Sequence, residues 1–176
     1  ARDGPRAVIG PGTGLGVAGL STDGQVISGE GGNVALPYLP QAPHAALNRL
    51  IAGALRLEDV FSGQGLENIY AAQTHRRLSA QEISAGAHAG DAACVAAFEL
   101  FFDYAALACA NQALQYTAIG GVYLVGSIMA KTLRLMDRDR FTDGFCATRT
   151  HQDFLAAIPV YLVNTATSGL AGAAAY

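Results

Sequence analysis

Seven residues near the start of the chain, Gly10-Pro11-Gly12-Thr13-Gly14-Leu15-Gly16, contain four glycines and a threonine. Backbone this free of side chains can come very close to an anion, with amides and a hydroxyl as donors. The run also restricts the fold. It lies between two short apolar runs, Ala7-Val8-Ile9 and Leu15 to Leu20, which predict two strands joined across a glycine turn. Ser21-Thr22-Asp23-Gly24 then carries an Asp-Gly turn signal, and Gln25-Val26-Ile27-Ser28 resumes extended structure. The first thirty residues therefore read as antiparallel hairpins. Gly14-Leu15-Gly16-Val17-Ala18-Gly19 satisfies G-x-G-x-x-G literally. A dinucleotide site needs a helix to begin inside that motif, so that its N-terminus holds the pyrophosphate. Here the motif leads into Leu20 and a tight turn, which argues against a Rossmann site.

Beyond the hairpins the periodicity changes. Pro37 to Pro43 is a proline-rich loop, and Leu47, Leu50, Ile51, Ala54 and Leu55 then recur at helical spacing, predicting a helix with one apolar face. Glu58-Asp59-Val60-Phe61-Ser62-Gly63 leads into a turn and a further helix through Tyr70. Ser79-Ala80-Gln81-Glu82 has capping-box spacing, Gly90 breaks the helix it opens, and Asp91 caps the next. From Ala92 to about Tyr116 almost every helical face is apolar, which predicts a buried spine. Ile119 to Val125 reads as a buried strand entered through Gly120-Gly121, with a helix near Met129 to Met136, a strand over Ile158 to Val163, and an Ala-rich helix from Gly169. Strands, helices, then strand–helix twice make an α/β fold with a mixed sheet and helices covering it.

The 176 residues suffice for one domain with a real core, and 51% hydrophobic against 14% charged residues argues against disorder. A net charge of −3 offers no basic stripe for nucleic acid or an acidic membrane. Cys94, Cys109 and Cys146 have no CxxC spacing and suit reduced, buried thiols in a cytoplasmic protein. The apolar stretch Ala92 to Leu114 is interrupted by Glu99, Asp103, Asn111 and Gln112, too polar for a membrane span. The N-terminus has neither an initiator Met nor an apolar leader, so the expectation is a piece of a longer chain.

Four motifs in order, Gly12-Thr13-Gly14-Leu15-Gly16-Val17-Ala18, Gly29-Glu30-Gly31-Gly32, Glu58-Asp59-Val60-Phe61-Ser62-Gly63 and Gly120-Gly121-Val122-Tyr123-Leu124-Val125-Gly126, resemble the bacterial glucokinase family of the hexokinase–actin superfamily. The resemblance runs from about Ala7 to Gly172. It implies a ribonuclease H-like large lobe over residues 1–176 and an ATP-dependent transfer of phosphate to the 6-hydroxyl of glucose. Gly12, Thr13 and Gly14 match the second phosphate loop of the family, a hairpin turn that meets the ATP phosphates. Glu30 and Glu58 match glutamates that accept hydrogen bonds from the sugar, and Gly126 and Ser127 fall in the adenosine turn.

The chain departs from the family pattern in three respects. The family's first phosphate loop and its catalytic aspartate lie upstream of this hairpin, in a small N-terminal lobe with no counterpart here. No catalytic base is therefore assigned to this chain. Asn33 stands where the family usually has His, so sugar contacts are retuned or weakened. Ser127 replaces the second glycine of the adenosine turn.

The resemblance further implies a cytoplasmic enzyme, common homodimers, and Mg²⁺ arriving with ATP, since no carboxylate or His cluster suggests a protein-held metal. Other readings stay open: a sugar-sensing domain that lost the chemistry, or a kinase for another sugar. His44, His75, His88 and His151 read as structural or surface residues, Asn111 as a satisfied core amide, and Asp137-Arg138-Asp139-Arg140 as a solvated helix end.

Overall fold

The computed structural model describes residues 3–163. Strands β1 (Arg6–Pro11), β2 (Leu15–Leu20) and β3 (Val26–Gly29) form the expected consecutive hairpins. Their pairing is antiparallel, with Pro11 opposite Leu15 across the glycine turn and Leu20 opposite Val26 across the Asp-Gly turn. Alternate residues face inward: Ala7, Ile9 and Pro11 of β1, then Leu15, Val17 and Gly19 of β2, are buried. This period of two is what makes the runs strands. β4 (Val122–Leu124) joins β1 in parallel and β5 (Val160–Leu162) joins β4 in parallel, giving the mixed order β3-β2-β1-β4-β5.

The helices are α1 (His44–Leu50), α2 (Gly63–Thr74), α3 (Ala80–His88) and α4 (Ala92–Gln115) between β3 and β4, and α5 (Ser127–Thr132), α6 (Arg138–Cys146) and α7 (Gln152–Ala156) between β4 and β5. The predicted starts hold. Ser79 and Glu82 cap α3 reciprocally, and Asp91 accepts from the Cys94 amide at 2.9 Å to open α4. α4 is the spine: Phe98, Phe101 and Tyr104 are almost fully buried, and Phe101 meets Phe61 edge-on with centroids 5.1 Å apart. Each buried Phe contributes roughly 1.5–3 kcal/mol of apolar transfer. By length and composition α4 could cross a membrane, but 61% of its most apolar stretch is buried within the fold.

Several expectations need correction. The first helix stops at Leu50, because Ile51 is extended and residues 55–57 pair with 34–36 instead (Leu36 N–H to Leu55 O at 2.9 Å, Leu57 N–H to Val34 O at 3.0 Å). Tertiary pairing overrides the helical spacing of Ala54 and Leu55. Asn111 is exposed; the buried amide of α4 is Gln112. The charged run is the exposed helix end expected, with Asp137 capping α6, and Arg140 additionally forks onto Asp103 of α4 with two 2.7 Å bonds. The helix expected from Gly169 lies outside the described residues.

Candidate functional site

The turn between β1 and β2 is closed by a 2.8 Å bond from the Gly12 amide to the Gly14 carbonyl, and Gly12, Thr13 and Gly14 are all exposed. The turn is anchored from behind, where the Gly63 amide at the start of α2 donates to the Gly12 carbonyl at 2.8 Å. Ser62 caps that helix by accepting from Gly65 N–H at 2.9 Å, while its hydroxyl donates to the Glu58 carbonyl at 2.7 Å. One serine thus fixes both the helix behind the hairpin tip and the short turn Leu57–Asp59 that carries Glu58.

Glu30, Asn33 and Glu58 come together in a single row. Asn33 Nδ2 donates to Glu30 Oε2 at 3.0 Å. Arg56 Nη1 donates to Asn33 Oδ1 at 2.7 Å and pairs with Glu58 Oε1 at 2.8 Å. Arg56 Nη2 reaches Asp59 Oδ1 at 3.0 Å. The hydrogen bond to Asp59, and then its negative charge, raise the Arg56 pKa above the usual guanidinium value. A close approach places Glu30 in the row: a Cβ on Gly32 would overlap the Leu15 carbonyl oxygen, so the Gly31-Gly32 turn packs directly on β2. Arg56 is the member of the row that sequence reasoning missed. Its signal was its position two residues before Glu58.

Gly126 follows β4 with φ +107°, and a Cβ there would lie 2.9 Å from the Pro11 carbonyl. Glycine at this position brings the end of β4 against the base of the hairpin. Beside this junction a cavity of about 840 Å³ is lined by Gly12 and Thr13, by Gln64 and Glu67 of α2, and by Ser127 and Lys131 of α5. Of the residues expected at the nucleotide, Gly12, Thr13 and Ser127 line the cavity. Gly14 instead faces Glu58, and Gly126 lies behind the hairpin. Lys131 is the only lysine of the sequence and is exposed. Among the described residues it forms no ion pair. It too went unnoticed in the sequence. Among the described residues no group of three or more His, Cys, Asp or Glu side chains converges.

The arrangement sets an exposed amide-and-hydroxyl turn between two regions of different chemistry. One is a row of carboxylates and an amide, suited to a hydroxylated ligand. The other is a roomy cavity lined by the Lys131 ammonium, which pairs with no carboxylate among the described residues, as well as by Glu67.

The Glucokinase family model matches residues 1–176. A glucokinase of Cupriavidus pinatubonensis is 34% identical, covering 97% of this chain and 54% of that protein. The crystal structure of a glucokinase from an Antarctic psychrotroph is 30% identical with a TM-score of 0.90, covering 99% of this chain and 58% of that one. A ROK family glucokinase from Streptomyces griseus, solved with glucose and AMPPNP, is 19% identical with a TM-score of 0.69, covering 99% of this chain and 61% of that one, a likeness of fold. The chain spans about half the length of the curated relatives it matches.

Proposed function

Since the chain belongs to the glucokinase family, we propose that it is the large lobe of an enzyme that transfers phosphate from ATP to the 6-hydroxyl of glucose. The observation that carries this reading is the row Glu30–Asn33–Arg56–Glu58 beside the hairpin tip. A sugar presents a ring of hydroxyl donors, and a carboxylate accepting one forms a charge-assisted bond worth about 1.5–3 kcal/mol. Two such carboxylates a short distance from an anion-binding turn hold an acceptor alcohol near a phosphate.

The cavity supports the nucleotide half of the reading. Its volume of about 840 Å³ lies within the range of roughly 300–1,000 Å³ common to small-ligand sites. Thr13 and the turn amides beyond Gly12, whose own N–H is bonded to the Gly14 carbonyl, suit phosphate oxygens, and Lys131 supplies a positive charge. Ser127 adds a hydroxyl where a glycine would have left only space. Mg²⁺ would enter on the ATP phosphates, where it neutralises charge during transfer.

In the reaction the sugar 6-oxygen forms a bond to the γ-phosphorus. The bond from that phosphorus to the bridging oxygen breaks, and ADP leaves with the electron pair. The hydroxyl proton passes to a general base. We assign that base to an aspartate in a second, N-terminal lobe of a longer protein, with this chain supplying the sugar and phosphate contacts. A cytoplasmic setting, where ATP is abundant, fits this reading, and light scattering tests the homodimer that the resemblance also implies.

The test is a coupled assay for glucose 6-phosphate, run on the isolated chain and on a longer protein that carries it. Product that depends on glucose and ATP in the longer protein, with negligible product from the chain alone, is the expected result. No product from the longer protein would overturn the activity. Rapid turnover by the 176-residue chain alone would overturn the division of labour.

A further inference from the structure

We propose that Arg56 is a positioning residue for the sugar, fixing which atoms of Asn33 and Glu58 face the ligand. The inference rests on the sugar-kinase reading above and names a residue that this reading did not require.

Arg56 is itself held firmly. The Asp59 carboxylate is buried, with a relative exposure of 8% for the residue. It accepts from Arg56 twice, from the backbone amide at 2.8 Å and from Nη2 at 3.0 Å. The Asp59 carboxylate therefore holds the guanidinium through Nη2 and the backbone of the same residue through its amide, leaving Nη1 to face Asn33 and Glu58.

Two consequences follow from that orientation. An amide has one accepting and one donating end of nearly the same shape, and only its partners decide which way it points. Arg56 can only donate, so Oδ1 of Asn33 must face it. Glu30 as a carboxylate can only accept, so Nδ2 must face Glu30. Asn33 thus offers a ligand its second Nδ2 proton in one fixed direction. Glu58 is divided in the same way. Oε1 is committed to Nη1, and Oε2 is turned toward Gly14, on the hairpin side. Without Arg56 the Asn33 amide is free to flip, and both Glu58 oxygens compete for the same hydroxyl. With it, the row presents one amide proton and single carboxylate oxygens to a neutral polyhydroxyl ligand.

A purely structural role for Arg56, tying the Leu57–Asp59 turn to its own backbone, is the competing account. It predicts that sugar and nucleotide binding suffer together, or not at all.

The experiment is calorimetric titration of the full chain with glucose and, separately, with ATP, for the wild type, Arg56→Met and Arg56→Lys. Arg56→Met is expected to weaken glucose binding on the order of tenfold, the loss of a charge-assisted pair, and to leave ATP affinity unchanged. Arg56→Lys keeps the charge and the backbone bond to Asp59 but has no planar fork to serve Asn33 and Glu58 together, so its glucose affinity should fall between the two. Should Arg56→Met lose its fold, Arg56→Lys carries the test alone. Unchanged glucose affinity in the folded variants, or an equal loss for both ligands, overturns the proposal while leaving the sugar-kinase reading intact. A wild-type chain that binds neither ligand overturns both.

Discussion

The Glu58 carboxylate lies against Gly14 so closely that a Cβ added to the glycine would stand 3.0 Å from Oε2. The tip that suits phosphate and the side chain that suits sugar are therefore neighbours across one contact. Gly14→Ala adds a methyl group at that contact. The atom it meets is the end of a flexible side chain, so Glu58 swings away and stability changes by only about 0.5 kcal/mol or less. Glucose affinity should fall while the melting temperature holds, as calorimetry and thermal denaturation would show together.

Ser62 is almost fully buried and serves two neighbours, the Gly65 amide and the Glu58 carbonyl. Ser62→Ala removes the α2 cap, at a cost of about 1–2 kcal/mol. In a chain of this length that lowers the melting temperature by roughly 2–4 °C per kcal/mol. Because the same hydroxyl fixes the turn under Glu58, glucose affinity should drop as well, which an ordinary capping loss would not produce.

Lys131 is the one side-chain amine of the sequence, so peptide mapping separates its acylation from that of the N-terminal α-amine. Amine acylation read by mass spectrometry should modify Lys131 readily in the free chain and slowly with ATP present, and glucose should give no protection. Lys131→Met is expected to weaken ATP on the order of tenfold through loss of a charge-assisted contact. Equal acylation with and without ATP would place the nucleotide elsewhere.

Acid should loosen the helix ends before the core. The Ser79 hydroxyl and then its amide hold the Glu82 carboxyl below its ordinary value of 4.5, and the Cys94 amide holds Asp91 below 3.8. A carboxylate whose folded pKa is depressed stabilises the fold above its unfolded pKa, and the contribution is lost as pH falls through the folded one. Melting temperature should therefore be flat above about pH 5 and decline below it. Glu82→Gln should lower it at neutral pH and reduce the acid-dependent part of the decline.

The parts of the fold that local chemistry dictates were legible in the sequence. The Asp-Gly turn, the alternation in β1 and β2, the Ser79 capping box and the all-round apolar α4 each follow from neighbours in sequence. The first helix misled because the pairing of residues 55–57 with 34–36 is a tertiary bond that leaves helical spacing in place. The Asp137–Arg140 run is the exposed helix end its charges suggest, but charge alone does not reveal that Asp103, on another helix, awaits Arg140. The site divides along the same line. Glu30, Asn33 and Glu58 sit in motifs that resemblance could find, and they do share one row. Lys131 is an isolated charge, and Arg56, though two residues before Glu58, gains its meaning only when the fold brings Asn33 to it.

Whether this row binds a sugar is measured by titrating the chain with glucose in a calorimeter, alongside Glu58→Gln. Glu58→Gln keeps the shape and removes the charge that accepts the hydroxyl. Saturable glucose binding by the wild type, weakened on the order of tenfold in Glu58→Gln, is the predicted result. Equal binding by both chains, or none by the wild type, would contradict it.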